Sequence, residues 1–200
     1  LATKPATPIA VLCGNDLPFC VLAHAVPRTG SVLLPLNVRL TAAELGWQLA
    51  DAGAHLLIAD EGRCELAATA IAEAGEQSAH WPRLLAAEEL TSSGDGTTPD
   101  AGKSVIDLDA THSAIYTSGT SGQPKAALLT YGNLLASAVG SAFQLGVRAE
   151  DRWLAALPLF HIGGFSILVR SALAGTTAVV HERFDEAVVS RALREERVTL

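Results

Sequence analysis

Tyr116-Thr117-Ser118-Gly119-Thr120-Ser121-Gly122-Gln123-Pro124-Lys125 is the stretch on which the reading of this chain turns. The nine residues from Thr117 to Lys125 hold four hydroxyls, two glycines and a lysine. Glycine lets a backbone come close to an anion and leaves its N–H groups open. Serine and threonine hydroxyls donate to phosphate oxygens, and lysine adds a compact positive charge on a flexible stem. Together they suit a triphosphate whose charge must be held while a bond to phosphorus breaks. An ordinary polar hairpin turn shares this composition but not the order, with tyrosine before the loop and Pro-Lys closing it. The loop is not a Walker A motif, which needs Gly-Lys-Ser/Thr running into a helix. Here Pro124 precedes the lysine, and Ala126 to Thr130 reads as a strand. A GxGxxG dinucleotide fingerprint is absent as well.

Working outward, short apolar runs alternate with helical patterns. Ile9 to Leu12, Ser31 to Leu36, His55 to Ala59, Ser113 to Thr117, Ala126 to Thr130, Trp153 to Leu157 and Thr176 to Val180 read as strands. Between them, Leu17 to Val26 reads as a buried helix stopped by Pro27 and Gly30. Thr41-Ala42-Ala43-Glu44 is a capping box opening a helix with an apolar face of Leu45, Leu49 and Ala52, closed by Gly53. Arg63 to Ala74 is an alanine-rich helix ending at Gly75. Asn133 to Leu145 carries a face of Leu135, Ala138, Val139 and Ala142 at helical spacing. Gly164 to Ala174 is a helix closed by Gly175, and Asp185 caps an amphipathic helix running to Glu196. Alternation of this kind predicts an α/β fold, mostly parallel sheets flanked by helices. Thr91 to Lys103 is the clearest loop, a possible subdomain boundary or a long surface connection.

Composition narrows the function. The net charge is −7, and no Lys/Arg cluster offers the basic face of a nucleic-acid binder. Any phosphate handling must therefore be local. The three cysteines, Cys13, Cys20 and Cys64, form no CxxC pair and no zinc spacing, and their odd number fits a reducing, cytoplasmic setting. No apolar run is long enough for a membrane span. The lack of methionine, with Arg197-Val198-Thr199-Leu200 reading as the opening of a strand, is what a fragment would show.

Thr117 to Lys125 resembles the phosphate-binding signature of the adenylate-forming (AMP-binding, acyl-CoA synthetase) superfamily. A second family motif, Leu157-Pro158-Leu159-Phe160-His161-Ile162-Gly163-Gly164, lies at the expected distance, and Leu34-Pro35-Leu36-Asn37 extends the likeness. Within the superfamily, Thr130-Tyr131-Gly132-Asn133 and Leu157 to Ser171 are similar to the o-succinylbenzoate–CoA ligase family of menaquinone biosynthesis.

The resemblance implies an incomplete N-terminal AMP-binding domain over residues 1–200, with the C-terminal domain absent. It implies an acid–thiol ligase in which a substrate carboxylate attacks ATP to give an acyl-adenylate, and coenzyme A then forms a thioester. ATP, Mg2+ and coenzyme A are the implied cofactors and co-substrates, with no dedicated metal motif in this stretch. Thr117, Ser118, Gly119, Thr120, Ser121, Gly122 and Lys125 match the phosphate loop. His161 matches a histidine near the acyl substrate, with Gly163 and Gly164 beside it. A substrate carboxylate is already ionised at pH 7, so His161 is expected to shape the acyl pocket rather than act as a base. Arg170 could pair with a second carboxylate, or be a solvated or packed arginine. Ala126 stands where the family usually has glycine, and Pro27 interrupts a helix usually continuous there. The adenine and ribose motifs and the C-terminal lysine are missing from these 200 residues, so the fragment alone is expected to be inactive. An amino-acid adenylation domain, another acyl-CoA ligase and a non-catalytic fragment remain as alternatives.

Overall fold

The structure is a computed structural model that describes residues 7–77, 81–92, 105–117 and 123–200. Four short apolar strands, β1 (Pro8–Leu12), β2 (Val32–Pro35), β3 (Leu56–Ala59) and β4 (Arg83–Ala86), pair in parallel. β5 (Thr111–Thr117) adds to β2 in parallel, and β6 (Lys125–Thr130) folds back antiparallel on β5. The six strands lie in the order β4-β3-β1-β2-β5-β6. β1 to β3 read as unbroken apolar runs because helices cover both their faces. A second sheet pairs β7 (Arg152–Ala155) with β8 (Thr177–Val180) in parallel.

The helices that join these strands follow local rules. α1 (Leu17–Arg28) opens on Asp16, whose carboxylate accepts from the Phe19 N–H at 2.9 Å. α2 (Ala42–Ala52) has the expected box, with Thr41 and Glu44 satisfying each other's backbone N–H, and ends on Gly53 in the left-handed conformation. α3 (Cys64–Gln77) follows a 3-10 turn over Glu61–Arg63. α2 and α3 pack closely because Gly46 has no side chain. A Cβ there would lie 2.6 Å from the Glu73 Cβ and 2.8 Å from the Ala70 carbonyl oxygen. α4 (Ala87–Ser92) is short. α5 (Tyr131–Leu145) opens on a second capping box, Thr130 with Asn133. α6 (Ile162–Ala174) ends on left-handed Gly175, and Asp185 caps α7 (Glu186–Glu195).

Several expectations change. Pro27 does not stop α1, which continues through Arg28. In the last turn a proline forfeits one N–H bond at a place where the ladder is ending anyway, and its carbonyl is taken by the Gly30 N–H and the Tyr131 hydroxyl. Gly75 lies inside α3 rather than ending it, because the Trp81 ring occupies the space of its missing side chain, within 2.3 Å of a built Cβ. The inward face of α5 is Leu134 and Ala138, while Leu135 and Val139 are exposed. Thr91 and Ser92 end α4, residues 93–103 of the expected loop lie outside the described residues, and strands on both sides of it share one sheet.

One buried cluster ties the two sheets together, running from Val11, Phe19 and Ile115 to Trp153, Leu159 and Phe165. A second lies on the other face of the large sheet, beneath α2 and α3. Cys13 is buried, and Cys13, Cys20 and Cys64 are free. Among the described residues no helix is long and apolar enough to cross a membrane.

Candidate active site

The phosphate-loop motif spans the turn of the β5–β6 hairpin. Thr117 faces Lys125 in the antiparallel register, and the Thr117 hydroxyl donates to the Lys125 carbonyl at 3.3 Å, closing the base of the loop. Both residues are exposed. Ser118, Gly119, Thr120, Ser121 and Gly122 lie outside the described residues. Ala126, where the family usually has glycine, is an ordinary ladder residue opposite Tyr116.

Tyr116 fixes this base to α2. Its hydroxyl donates to Asp51 Oδ2 at 2.6 Å and lies 3.2 Å from the Gln48 carbonyl oxygen. Burial, with the Asp51 carboxylate beside it, pushes the phenol well above its usual range, so it stays a donor. Trp47 meets the Tyr116 ring edge-on at 5.9 Å. No local pattern signals this arrangement, since Asp51 and Tyr116 are 65 residues apart.

His161 arrives from the second sheet. After β7 the chain turns through Leu157 and Pro158, and His161 takes the N-cap of α6 with an exposed ring that makes no capping bond. The ring sits 4.4 Å from that of Phe160. Gly164 allows the turn to lie against the helix: a Cβ there would fall 2.5 Å from the Pro158 carbonyl oxygen and 2.7 Å from that of Leu157. At Gly163 the nearest atom would be Leu157 Cδ1 at an ordinary 3.4 Å.

Asn15, just past β1, holds that turn against the large sheet. Its Nδ2 donates to the carbonyls of Leu157 at 2.9 Å and His181 at 3.1 Å, and its Oδ1 accepts from the Leu159 N–H at 2.8 Å. One amide thus joins the ends of β1, β7 and β8. No local pattern marks Asn15 for this role, since its partners lie 142 to 166 residues away.

These elements bring Thr117 and His161 to one cleft of about 220 Å³, with Asn37, Gln48, Tyr116 and Pro124 among its walls. Arg170 is not part of it. It lies about 13 Å further along α6, its guanidinium 5.8 Å from the Trp153 ring centre, and it lines a separate slot of about 160 Å³ between α5 and α6 with Asn133 and Ser137. Its Nε is buried without a partner. Among the described residues no group of His, Cys, Asp and Glu could hold a metal ion.

Thr117 at the base of the β5–β6 hairpin and His161 at the start of α6 thus line one small cleft, and the AMP-binding enzyme family model matches residues 1–200. The chain belongs to the AMP-binding enzyme family. It is 35% identical over 201 residues to the 2-succinylbenzoate–CoA ligase of Bacillus cereus (strain ZK / E33L), covering 100% of this chain and 38% of that protein. To the 2-succinylbenzoate–CoA ligase of Geobacillus kaustophilus (strain HTA426) it is 41% identical over 180 residues, 88% of this chain and 34% of that protein. Among solved structures, O-succinylbenzoate Coenzyme A Synthetase from Bacillus subtilis in complex with AMP matches with a TM-score of 0.82 at 32% identity, covering 99% of this chain and 49% of that one. The N-terminal domain of FACL13 from Mycobacterium tuberculosis matches with a TM-score of 0.81 at 26% identity, covering 98% and 49%. The chain thus spans less than two-fifths of the length of the curated ligases it matches.

Proposed function

We propose that the full-length protein is an o-succinylbenzoate–CoA ligase. It activates the acid with ATP through an acyl-adenylate and passes the acyl group to coenzyme A. The observation that carries this reading is the placement of Thr117 and His161 on one cleft, in a chain 35% identical along its whole length to a 2-succinylbenzoate–CoA ligase.

In this reading the hairpin binds the β- and γ-phosphates. Thr117, Ser118, Thr120 and Ser121 donate hydroxyls, Gly119 and Gly122 give the backbone access to the oxygens, and Lys125 supplies the positive charge that stabilises departing pyrophosphate. Mg2+ enters with the nucleotide. His161, with Gly163 and Gly164 beneath it, shapes the acyl side of the cleft and orients the carboxylate for attack on the α-phosphate. The carboxylate needs no general base, because it is already an anion at neutral pH. Arg170, in its own slot along α6, serves the second carboxylate only if that carboxylate enters between α5 and α6. Such an enzyme works in the cytoplasm, where ATP and coenzyme A are found.

Carboxylate-dependent ATP–pyrophosphate exchange by the full-length gene product tests the proposal, with o-succinylbenzoate leading a panel of other acids and amino acids. Exchange with o-succinylbenzoate followed by thioester formation supports it. Exchange with a different acid keeps the mechanism and removes this substrate. No exchange with any acid removes both.

A further inference from the structure

A second cavity, of about 450 Å³, opens between the C-terminal half of α1, the start of α5 and the last turns of α6. It shares no lining residue with the cleft at His161. Its α6 residues, Val169 to Leu173, lie about 12–18 Å along the helix from His161. The walls are mostly apolar, with Leu134 and Leu173 among them; His24 and Arg28 line the α1 side, and Ile106 and Leu108 keep about half their surface exposed at the mouth.

The floor is not apolar. His112 is 7% exposed and lines the cavity, with its ring edge-on to Tyr131 at 4.8 Å. Its Nδ1 is sealed in the protein without a partner, so the opposite edge with Nε2 is the one left to the cavity. Tyr131 does not donate to it, because its phenol hydrogen goes to the Pro27 carbonyl at 3.0 Å. Burial, with His24 nearby, pushes His112 down to about 4, so the ring is a neutral imidazole at physiological pH. A neutral imidazole offers one donor or one acceptor at Nε2 according to its tautomer. A hydroxyl can answer either, whereas a carbonyl or an ammonium answers only one.

We propose that this cavity is a second ligand site, taking a small apolar molecule that carries a hydroxyl, such as an alkylated phenol, with the hydroxyl on His112 and the apolar body between α1, α5 and α6. A volume of this size lies in the ordinary range for small-molecule pockets, which pair mostly apolar walls with few polar groups. The hydroxyl supplies Nε2 with the hydrogen bond that no contact among the described residues gives it.

The test uses the full-length protein with 4-propylphenol and propylbenzene as matched probes, read by titration calorimetry and ligand-detected NMR. The phenol should bind saturably and about tenfold more tightly than the hydrocarbon, a ratio expected for one buried hydrogen bond. Saturating ATP and o-succinylbenzoate should leave that binding unchanged. Ala172→Trp fills the cavity from an exposed position on its rim and should abolish binding of both probes. His112→Phe should bring the two probes to equal affinity. Lack of saturable binding by the wild type, undiminished binding by Ala172→Trp, displacement by ATP and o-succinylbenzoate, or an unchanged phenol preference in His112→Phe would each overturn the proposal. Only the competition by ATP and o-succinylbenzoate rests on the ligase reading; the probe affinities and both variants do not, so the two fail separately.

Discussion

Adjacent glycines at the start of α6 should respond oppositely to the same substitution. In Gly164→Ala the new Cβ would lie 2.5 Å and 2.7 Å from two backbone carbonyl oxygens, roughly 0.5–0.8 Å inside normal contact. Neither oxygen can swing away freely. Leu157 O is held by Asn15 Nδ2, and Pro158 O by the His161 N–H at 3.2 Å. Overpacking of this sort costs about 1–3 kcal/mol, against a gain of at most ~1 kcal/mol from the better helix propensity of alanine. The net expectation is a loss of about 1–2 kcal/mol, relieved by moving the helix N-terminus and His161 away from the cleft. In Gly163→Ala the nearest atom is a leucine methyl at 3.4 Å, so propensity dominates and stability should hold or rise. Thermal denaturation of the full-length variants, with ATP–pyrophosphate exchange alongside, reads both effects. The expected order of midpoints is Gly163→Ala at or above wild type, with Gly164→Ala clearly below and slowed in exchange. Wild-type melting and exchange in Gly164→Ala would refute the claim that this contact sets the position of His161.

Other perturbations have equally definite outcomes. Lys125→Ala should cut exchange by about 10²-fold or more while leaving the melting midpoint near wild type, since the side chain is exposed. Tyr116→Phe removes the hydroxyl on Asp51; because Asp51 is exposed the bond contributes about 1 kcal/mol, so the KM for ATP should rise about fivefold. Asn15→Ala deletes three hydrogen bonds at about 1 kcal/mol each, and urea unfolding should show a loss of about 2–4 kcal/mol. His112 titrates at about 4 in the folded chain, below its ordinary 6.5. Between those pH values the unfolded chain takes up a proton that the folded chain refuses. The stabilisation from keeping the ring neutral is therefore complete above about pH 6.5 and declines as pH falls to 4, by about 2–3 kcal/mol in all. A urea-unfolding series across this range should lose that slope in His112→Phe.

Local signals carried most of the fold. Apolar runs marked the strands, Thr41 and Glu44 marked the start of α2, and Gly53 and Gly175 marked helix ends, because each is decided within a few residues. The misses share a different cause. On α5 the rows Leu134/Ala138 and Leu135/Val139 have the same period, and only the position of α6 chooses between them. Pro27 reads as a stop until Tyr131, 104 residues on, is seen to take its carbonyl. Gly75 reads as an end until Trp81 is seen lying on it. At the site, the motifs named Thr117, Lys125 and His161, but Tyr116, Asp51 and Asn15 act through partners 65 to 166 residues away. No periodicity in the sequence reports such distances.

The bracket at Asn15 also limits which residues evolution or an engineer can place there. Two acceptors and one donor meet at that point, and they require a planar group with a carbonyl on one side and an NH2 on the other. Aspartate has the shape but would set oxygen against the carbonyls of Leu157 and His181. Serine is too short to span all three, and glutamine, one methylene longer, would push the turn outward. In a saturation scan of the full-length gene, this position should tolerate a narrower alphabet than Lys125, whose side chain is exposed.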